Sequence, residues 1–276
     1  MPMPFADSSG VRLHYEDTGS GTPVLFLHEL GSDIRQWRGQ TRPLSSRFRC
    51  IACNARGYPP SDVATTDDAY VWERFVDDIG AVLDHLLIER AVLVGWSMGA
   101  WAALMFALRR PERVLGVAAA GVGSGSPRAD QPEFRAGMRA LARAWEHEGP
   151  VAATALMAEN PGRQPLKRLS PLAYDAWLAD LKGHSPEGMA RTCRNFQGLR
   201  PSLEDFADGF ARMTLRVLLV LGEEDTLCLE TTRWLAGAIP GARLHVVPGG
   251  GHAPNLEDES AFNRLLGGFL DQIARR

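Results

Sequence analysis

Gly95-Trp96-Ser97-Met98-Gly99 lies between two segments of opposite character. Residues 91–94 are apolar and β-branched, which is typical of a buried strand, whereas residues 100–108 are rich in good helix formers. A turn this sharp between a strand and a helix forces its central residue into a strained backbone conformation, and small flanking residues let the two elements approach closely. The pattern predicts that the hydroxyl of Ser97 is exposed beside a helix N-terminus, which favours developing negative charge. Ser97 is therefore the candidate nucleophile.

Length and composition indicate an ordinary globular protein. The 276 residues can hold one large α/β domain or a core domain with an insertion. Hydrophobic residues make up 45%, charged residues 23%, and the formal charge is −3, with no basic block that would favour nucleic acid or an anionic membrane as partner. The N-terminus lacks a secretory pattern and no segment is apolar enough to span a bilayer, so we expect a cytoplasmic location. The oligomeric state stays open.

Two of the four cysteines have the C-x-x-C spacing of redox and zinc sites. Cys50 and Cys53, however, flank a segment that looks like a strand, where residues three apart face opposite sides. We therefore expect small buried side chains here, and no metal site.

Strands alternate with helices over most of the chain. Strand patterns cover residues 11–16, 24–27, 49–54, 91–94, 114–120, 215–221 and 243–247, and helix patterns cover residues 70–87, 100–108 and 259–273. Residues 126–206 are helix-like and interrupted by prolines. This order predicts an α/β fold with a doubly wound, mostly parallel sheet. We expect residues 1–123 and 209–276 to form the core, and residues 124–208 to form a helical cap over the carboxyl ends of the strands, where such folds bind ligands.

The chain also supplies the two partners that a catalytic serine needs. A serine hydroxyl is a poor nucleophile near neutral pH, so it requires a base, which in turn requires an orienting acid. Asp225 follows a late strand in Leu221-Gly222-Glu223-Glu224-Asp225, and His252 follows the last strand in a glycine-rich loop. Each could instead be structural, the histidine as a solvated loop residue and the aspartate as a helix cap. Their joint placement with Ser97 predicts a catalytic triad, with Glu223 and Glu224 as alternative acids.

These motifs resemble the α/β-hydrolase superfamily over nearly the whole chain. Phe26-Leu27-His28 with Gly31 resembles the family's His-Gly loop, residues 54–61 are similar to its Asp-x-Arg-Gly-x-Gly-x-Ser segment, and residues 251–257 are similar to its histidine loop. The resemblance implies an α/β-hydrolase fold with the cap inserted after the sixth strand. It also implies an oxyanion hole made by the backbone N–H groups of Leu30 and Met98. The chain looks most like capped esterases, enol-lactonases and C–C bond hydrolases.

Glu29 departs from this pattern, because it stands where the family has glycine. One interpretation is a structural ion pair with a cation such as Arg35 or Arg56. The other is a carboxylate at the mouth of the pocket that selects substrates or positions water. A second departure is Pro59, which also replaces a glycine.

Large side chains of the cap and of the turn at residues 95–99 are candidates for the substrate pocket. Besides Glu29, we expect Trp96, Trp145 and Trp177 to contact substrate. His184 is expected at the surface of the cap. Further apolar candidates for a roof over the substrate are Phe134, Met138, Met157, Met189 and Phe196.

The sequence thus predicts a serine hydrolase that cleaves a small carboxylic ester or lactone through an acyl-enzyme, a mechanism that requires no metal or organic cofactor. One alternative is hydrolysis of a C–C bond in a diketone-like or vinylogous substrate by the same three residues. Cofactor-free peroxidation with a carboxylic acid is another. A receptor for a small ligand on the same fold is the alternative outside catalysis, and the complete triad argues against it.

Overall fold

Eight strands form one sheet in the computed structural model, which describes residues 4–275. In chain order they are β1 (Phe5–Ser8), β2 (Val11–Thr18), β3 (Pro23–Leu27), β4 (Arg49–Cys53), β5 (Ala91–Trp96), β6 (Val114–Ala120), β7 (Val217–Gly222) and β8 (Arg243–Val247). Their spatial order is β1-β2-β4-β3-β5-β6-β7-β8. The pairs β1–β2 and β2–β4 are antiparallel and all others are parallel, which confirms the predicted mostly parallel sheet.

Helices cover both faces of the sheet, which is why β5 and β7 are buried along their whole length and read as continuous apolar runs. The helices are α1 (Arg38–Leu44), α2 (Trp72–His85), α3 (Met98–Arg109), α4 (Gln131–Arg143), α5 (Gly149–Ala158), α6 (Gln164–Leu169), α7 (Pro171–Lys182), α8 (Pro186–Arg191), α9 (Ala207–Ala211), α10 (Thr226–Ala238), α11 (Pro254–Glu257) and α12 (Glu259–Ala274). Among residues 4–275, no helix combines the length and the apolar character needed to cross a membrane.

The connection between β6 and β7, residues 121–216, consists of helices joined by turns and loops and is called the insertion below. It contains α4 to α9 and two π-helical segments, Ala144–Glu148 and Thr192–Gln197. A short 3₁₀ turn, Pro161–Arg163, connects α5 to α6 and is called the arginine turn. This turn contacts the loop after β8, so part of the insertion lies against the carboxyl ends of the strands.

All four cysteines are buried and free. Cys50 and Cys53 lie in β4, as the sequence pattern predicts, and burial raises the pKa of Cys50 to about 12. A thiol with so high a pKa stays protonated and does not act as a nucleophile or metal ligand near neutral pH.

Candidate active site

Ser97 occupies the turn between β5 and α3 with φ 51° and ψ −109°, a left-handed conformation rare for a residue with a side chain. Two glycines make this turn possible. A Cβ on Gly95 would lie 2.5 Å from the backbone nitrogen of Ala100, and one on Gly99 would overlap the carbonyl of Leu27. The strand and the helix therefore approach as closely as the sequence pattern predicts.

His252 and Asp225 lie together below the insertion. His252 Nδ1 is 2.8 Å from Asp225 Oδ2, and both residues are buried. Burial alone would raise the pKa of Asp225, but the charge interaction and hydrogen bond with His252 hold it below its ordinary value. The ionised carboxylate accepts the Nδ1 hydrogen, which leaves the lone pair of Nε2 free to accept a proton.

The loop that carries His252 is fixed from three directions. The indole N–H of Trp96 donates to the carbonyl of His252, and the backbone N–H of His252 donates to the carbonyl of Gly162 in the arginine turn, at 2.8 Å. Glu257 accepts from the backbone N–H groups on either side of His252, those of Gly251 at 2.7 Å and Ala253 at 3.1 Å. The sequence motif includes Glu257 but gives no sign of this role.

The loop after β3 is tied to the core through its carbonyl groups. His28 Nδ1 donates to the carbonyl of Glu29 at 2.7 Å, and its Nε2 accepts the N–H of Ala55 at 2.9 Å. Burial lowers the pKa of His28, so the ring is neutral and its tautomer is set by these two bonds. The Tyr58 hydroxyl donates to the carbonyl of Leu30 at 2.6 Å. Since a trans peptide holds its C=O and N–H in opposite directions, the N–H of Leu30 points away from His28.

Glu29 forms a buried ion pair with Arg163 of the arginine turn. The expected partners are wrong, because Arg35 pairs with Asp33 and Asp180. Arg56 in turn pairs with Asp78. The carboxylate also faces the triad, with its Oε2 3.9 Å from His252 Nε2.

The Arg163 guanidinium is itself held by aromatic rings. Its central carbon lies 5.0 Å from the ring centre of Trp96 and 4.6 Å from that of Trp177. These contacts are cation–π interactions, which strengthen when the cation is removed from water. Arg163 is a residue that sequence reasoning missed, and the Asn160-Pro161-Gly162 run before it signals a turn without showing what the turn meets.

A cavity of about 640 Å³ brings several of the predicted residues together. Its lining includes Glu29, Leu30, Ser97, Asp225 and His252. The insertion contributes most of the rest, including Phe134, Met138, Leu141, Met157, Asn160, Arg163 and Gln197. Ser97, Asp225 and His252 therefore face a space roofed mainly by apolar groups of the insertion.

Three of the predicted substrate contacts do not line this cavity. Trp145 is buried within the insertion away from this cavity, so its assignment as a substrate contact is not supported. Trp96 and Trp177 stack on Arg163 instead, and Trp96 also holds the carbonyl of His252. The side chain of Met98 lines a separate cavity of about 40 Å³ and not this one.

Asp225, Cys228 and His252 form the one cluster of potential metal ligands within the described part of the chain, with ligand atoms within 4.8 Å of one another. The chemistry of the donors does not favour a metal here. Burial raises the pKa of the Cys228 thiol well above its ordinary value, and Asp225 is already bonded to the imidazole. The cluster fits a triad in which the thiol packs against the acid.

Comparison with known proteins identifies the same architecture. A family described as alpha/beta hydrolase fold matches residues 22–259. The 2-hydroxy-6-oxo-6-phenylhexa-2,4-dienoate hydrolase of Burkholderia cepacia is 30% identical over 280 residues, which cover 95% of this chain and 92% of that protein.

Two solved structures are similar in fold and sequence. Est816, described as an N-acyl homoserine lactone degrading enzyme, is 30% identical with a TM-score of 0.81, covering 96% of this chain and all 100% of that one. A thermophilic esterase from Thermogutta terrifontis is 25% identical with a TM-score of 0.87, covering 99% of this chain and 100% of that one.

Proposed function

Because the chain belongs to the α/β-hydrolase fold family, we propose that it is a serine hydrolase that cleaves a carboxylic ester or lactone through an acyl-enzyme on Ser97. One observation carries the proposal. The strained Ser97, at φ 51°, lines the same cavity as His252, and His252 bonds to Asp225 at 2.8 Å. Nucleophile, base and orienting acid thus converge on one space that can hold a small substrate.

In the first half-reaction, His252 Nε2 takes the proton of Ser97 as its oxygen attacks the substrate carbonyl carbon. Asp225 keeps the imidazole in the required tautomer and stabilises the imidazolium that forms. His252 then gives the proton to the leaving alkoxide, which departs as an alcohol or, in a lactone, stays attached to the acyl group. In the second half-reaction, water releases the acyl group from Ser97.

The backbone N–H groups of Leu30 and Met98 are the proposed oxyanion hole. The Leu30 N–H points away from His28, and Leu30 lines the cavity. Met98 is the first residue of α3, where helical N–H groups lack an intrahelical acceptor. Within residues 4–275, neither N–H has a hydrogen-bond acceptor in the protein, so both are available to an oxyanion. Each such donor is typically worth about 10²–10³ in rate.

Replacing the nucleophile tests the proposal directly. We expect Ser97→Ala to lose hydrolysis of p-nitrophenyl esters by at least about 10³-fold, because the acyl-enzyme cannot form. A fluorophosphonate probe should label the native protein at Ser97, as read by peptide mass. Ser124 lines the same cavity, so Ser124→Ala is the matched control and should still be labelled. A folded Ser97→Ala variant with undiminished turnover would exclude this mechanism.

The similarity to a dienoate hydrolase of Burkholderia cepacia supports C–C bond hydrolysis as the second candidate. The same three residues would serve either reaction. Comparing kcat/KM for an ester and lactone panel with kcat/KM for a dienone and a β-diketone separates the two. Tight binding without turnover of any of these compounds would instead favour a ligand receptor.

A further inference from the structure

Glu29 has a carboxylate oxygen that the protein does not use. Its Oε2 binds Arg163, whereas Oε1 has no hydrogen-bond partner among the described residues, and the side chain is only 2% exposed. A buried carboxylate oxygen without a donor costs free energy, so a site of this kind is normally satisfied by water or a ligand.

The oxygen of Glu29 that binds Arg163 is also the one that lies beside the proposed catalytic base. Glu29 Oε2 is 3.9 Å from His252 Nε2, and both residues line the cavity that contains Ser97. One water molecule about 2.8 Å from Nε2 can reach the carboxylate at a similar distance, since hydrogen bonds of this kind span 2.5–3.2 Å. Such a water would give one hydrogen to the imidazole and the other to the carboxylate.

We propose that Glu29 is a catalytic residue of the second half-reaction, in which it holds the water that hydrolyses the acyl-enzyme. This inference rests on the proposed serine hydrolase function. His252 Nε2 takes one proton from the water as its oxygen bonds to the acyl carbon. The other hydrogen stays on that oxygen, bonded to the Glu29 carboxylate. The tetrahedral intermediate then expels Ser97 Oγ, which receives the proton from His252, and the product leaves as a carboxylic acid.

Arg163 makes a carboxylate tolerable at this position. Unpaired, the negative charge of Glu29 would oppose the oxyanion that forms near Leu30, and the adjacent guanidinium balances it. The guanidinium is anchored by two indoles and by a turn bonded to His252, so it fixes the orientation of the carboxylate. Arg163 is accordingly a positioning residue, and the Oε2 atom that it binds keeps a lone pair for the water, since a carboxylate oxygen accepts more than one hydrogen bond.

The substitution Glu29→Gln separates the two half-reactions. Because arginine only donates, the amide oxygen must turn toward Arg163, which leaves the NH₂ group where an acceptor is needed. With a p-nitrophenyl ester in stopped flow, we expect the acylation rate to change less than about threefold and the deacylation rate to fall about 10- to 100-fold. The larger factor corresponds to the loss of one hydrogen bond to a charged group. The variant should show a burst of p-nitrophenol and an acyl adduct on Ser97 by intact mass. Added hydroxylamine, a strong nucleophile, should restore its turnover more than it raises that of the native protein.

Two further variants keep this test independent of folding. Asp33→Asn removes another buried carboxylate that pairs with an arginine, four residues further along the same loop, and should produce no burst. Glu29→Met combined with Arg163→Met removes both charges, so no unpaired charge is left buried, and it should still show the deacylation defect. If acylation and deacylation fall equally in Glu29→Gln, or if neither changes, the role of Glu29 is overturned. If the native protein forms no acyl adduct on Ser97, the proposed function itself fails.

Discussion

At the scale of single residues, the proposed mechanism depends on the strained backbone of Ser97. A residue with a side chain at φ 51° costs about 1–3 kcal/mol relative to a relaxed conformation, and surrounding contacts must hold it there. The N–H of Ser97 donates to the carbonyl of Ala120 at 2.8 Å, and its carbonyl accepts from Trp101 at 2.9 Å. These two hydrogen bonds hold the strained conformation of Ser97, one from β6 and the other from the first turn of α3.

Gly99 should be the least replaceable residue of this turn. A Cβ there would overlap the Leu27 carbonyl and lie 2.7 Å from that of His28, and these are backbone atoms that cannot rotate away. We expect Gly99→Ala to lower the free energy of unfolding by about 2–3 kcal/mol through overpacking. It should also lower kcat. Relieving the overlap with the Leu27 carbonyl would move the loop that carries Leu30, whose N–H is a proposed oxyanion donor. Urea denaturation and ester kinetics measure the two effects.

Gly268→Ala is the control for glycine replacement. Gly268 lies within α12 with no atom within 4 Å of an added Cβ, so alanine should stabilise the protein by about 0.5–1 kcal/mol through helix propensity alone. Native-like stability and kcat in Gly99→Ala would show that the turn is looser than its contacts indicate.

At the scale of elements, the periodic segments could be predicted and the contacts between distant segments could not. Hydrophobic pattern located the strands from β2 onward and helices α2, α3 and α12, but β1, Phe5–Ser8, is too short to give a pattern. The common location of Ser97, Asp225 and His252 could be predicted because each residue follows a strand, and parallel strands end at one edge. The pairing of Glu29 with Arg163 joins residues 134 positions apart. Local sequence rules show where a chain turns and not which remote residue it meets.

Glu257 shows how one element sets the geometry of another. As part of α11, its carboxylate accepts the N–H groups of Gly251 and Ala253, which flank His252. Glu257→Ala would leave two buried donors unsatisfied, at about 1–3 kcal/mol each, so we expect lower stability. We also expect kcat to fall more than KM rises, because the displaced group is the base and not a binding contact. Steady-state kinetics and thermal unfolding of the variant measure both.

Asp258→Ala is the matched control for the histidine loop. Asp258 is the neighbouring residue and caps α12 by accepting the N–H of Ala261 at 2.8 Å, so its loss should cost about 1 kcal/mol of stability. Its kcat should stay at the native value. Equal losses of kcat in both variants would mean that Glu257 acts only through stability.

At the scale of the whole molecule, a buried neutral histidine lies where the insertion meets the core. The ring of His184, from the insertion, packs edge-on against that of Tyr58 with centres 5.2 Å apart, and the Tyr58 hydroxyl holds the carbonyl of Leu30. The expectation of a surface position for His184 is wrong, because the ring is packed between the two parts of the molecule. Burial lowers the pKa of His184 from 6.5 to about 4, with Asp33 opposing the shift and His28 and Arg35 adding to it.

This histidine should make the protein labile to mild acid. Between pH 6.5 and about 4 the unfolded chain binds a proton at His184 and the folded protein does not, so the free energy of unfolding falls as the pH falls through that window. At 1.36 kcal/mol per pKa unit, the group accounts for about 3 kcal/mol, and its contribution stops changing below its folded pKa. His14 and His28 also have lowered pKa values and add to the slope of stability against pH. Asp33 and Asp225, in contrast, lose their stabilising interactions only below their ordinary pKa of 3.8.

We therefore expect His184→Gln to flatten the dependence of urea-determined stability on pH near pH 5 by about 1 kcal/mol per pH unit. The same slope in the variant and the native protein would mean that His184 is protonated in the folded state, and that the insertion opens enough to hydrate it.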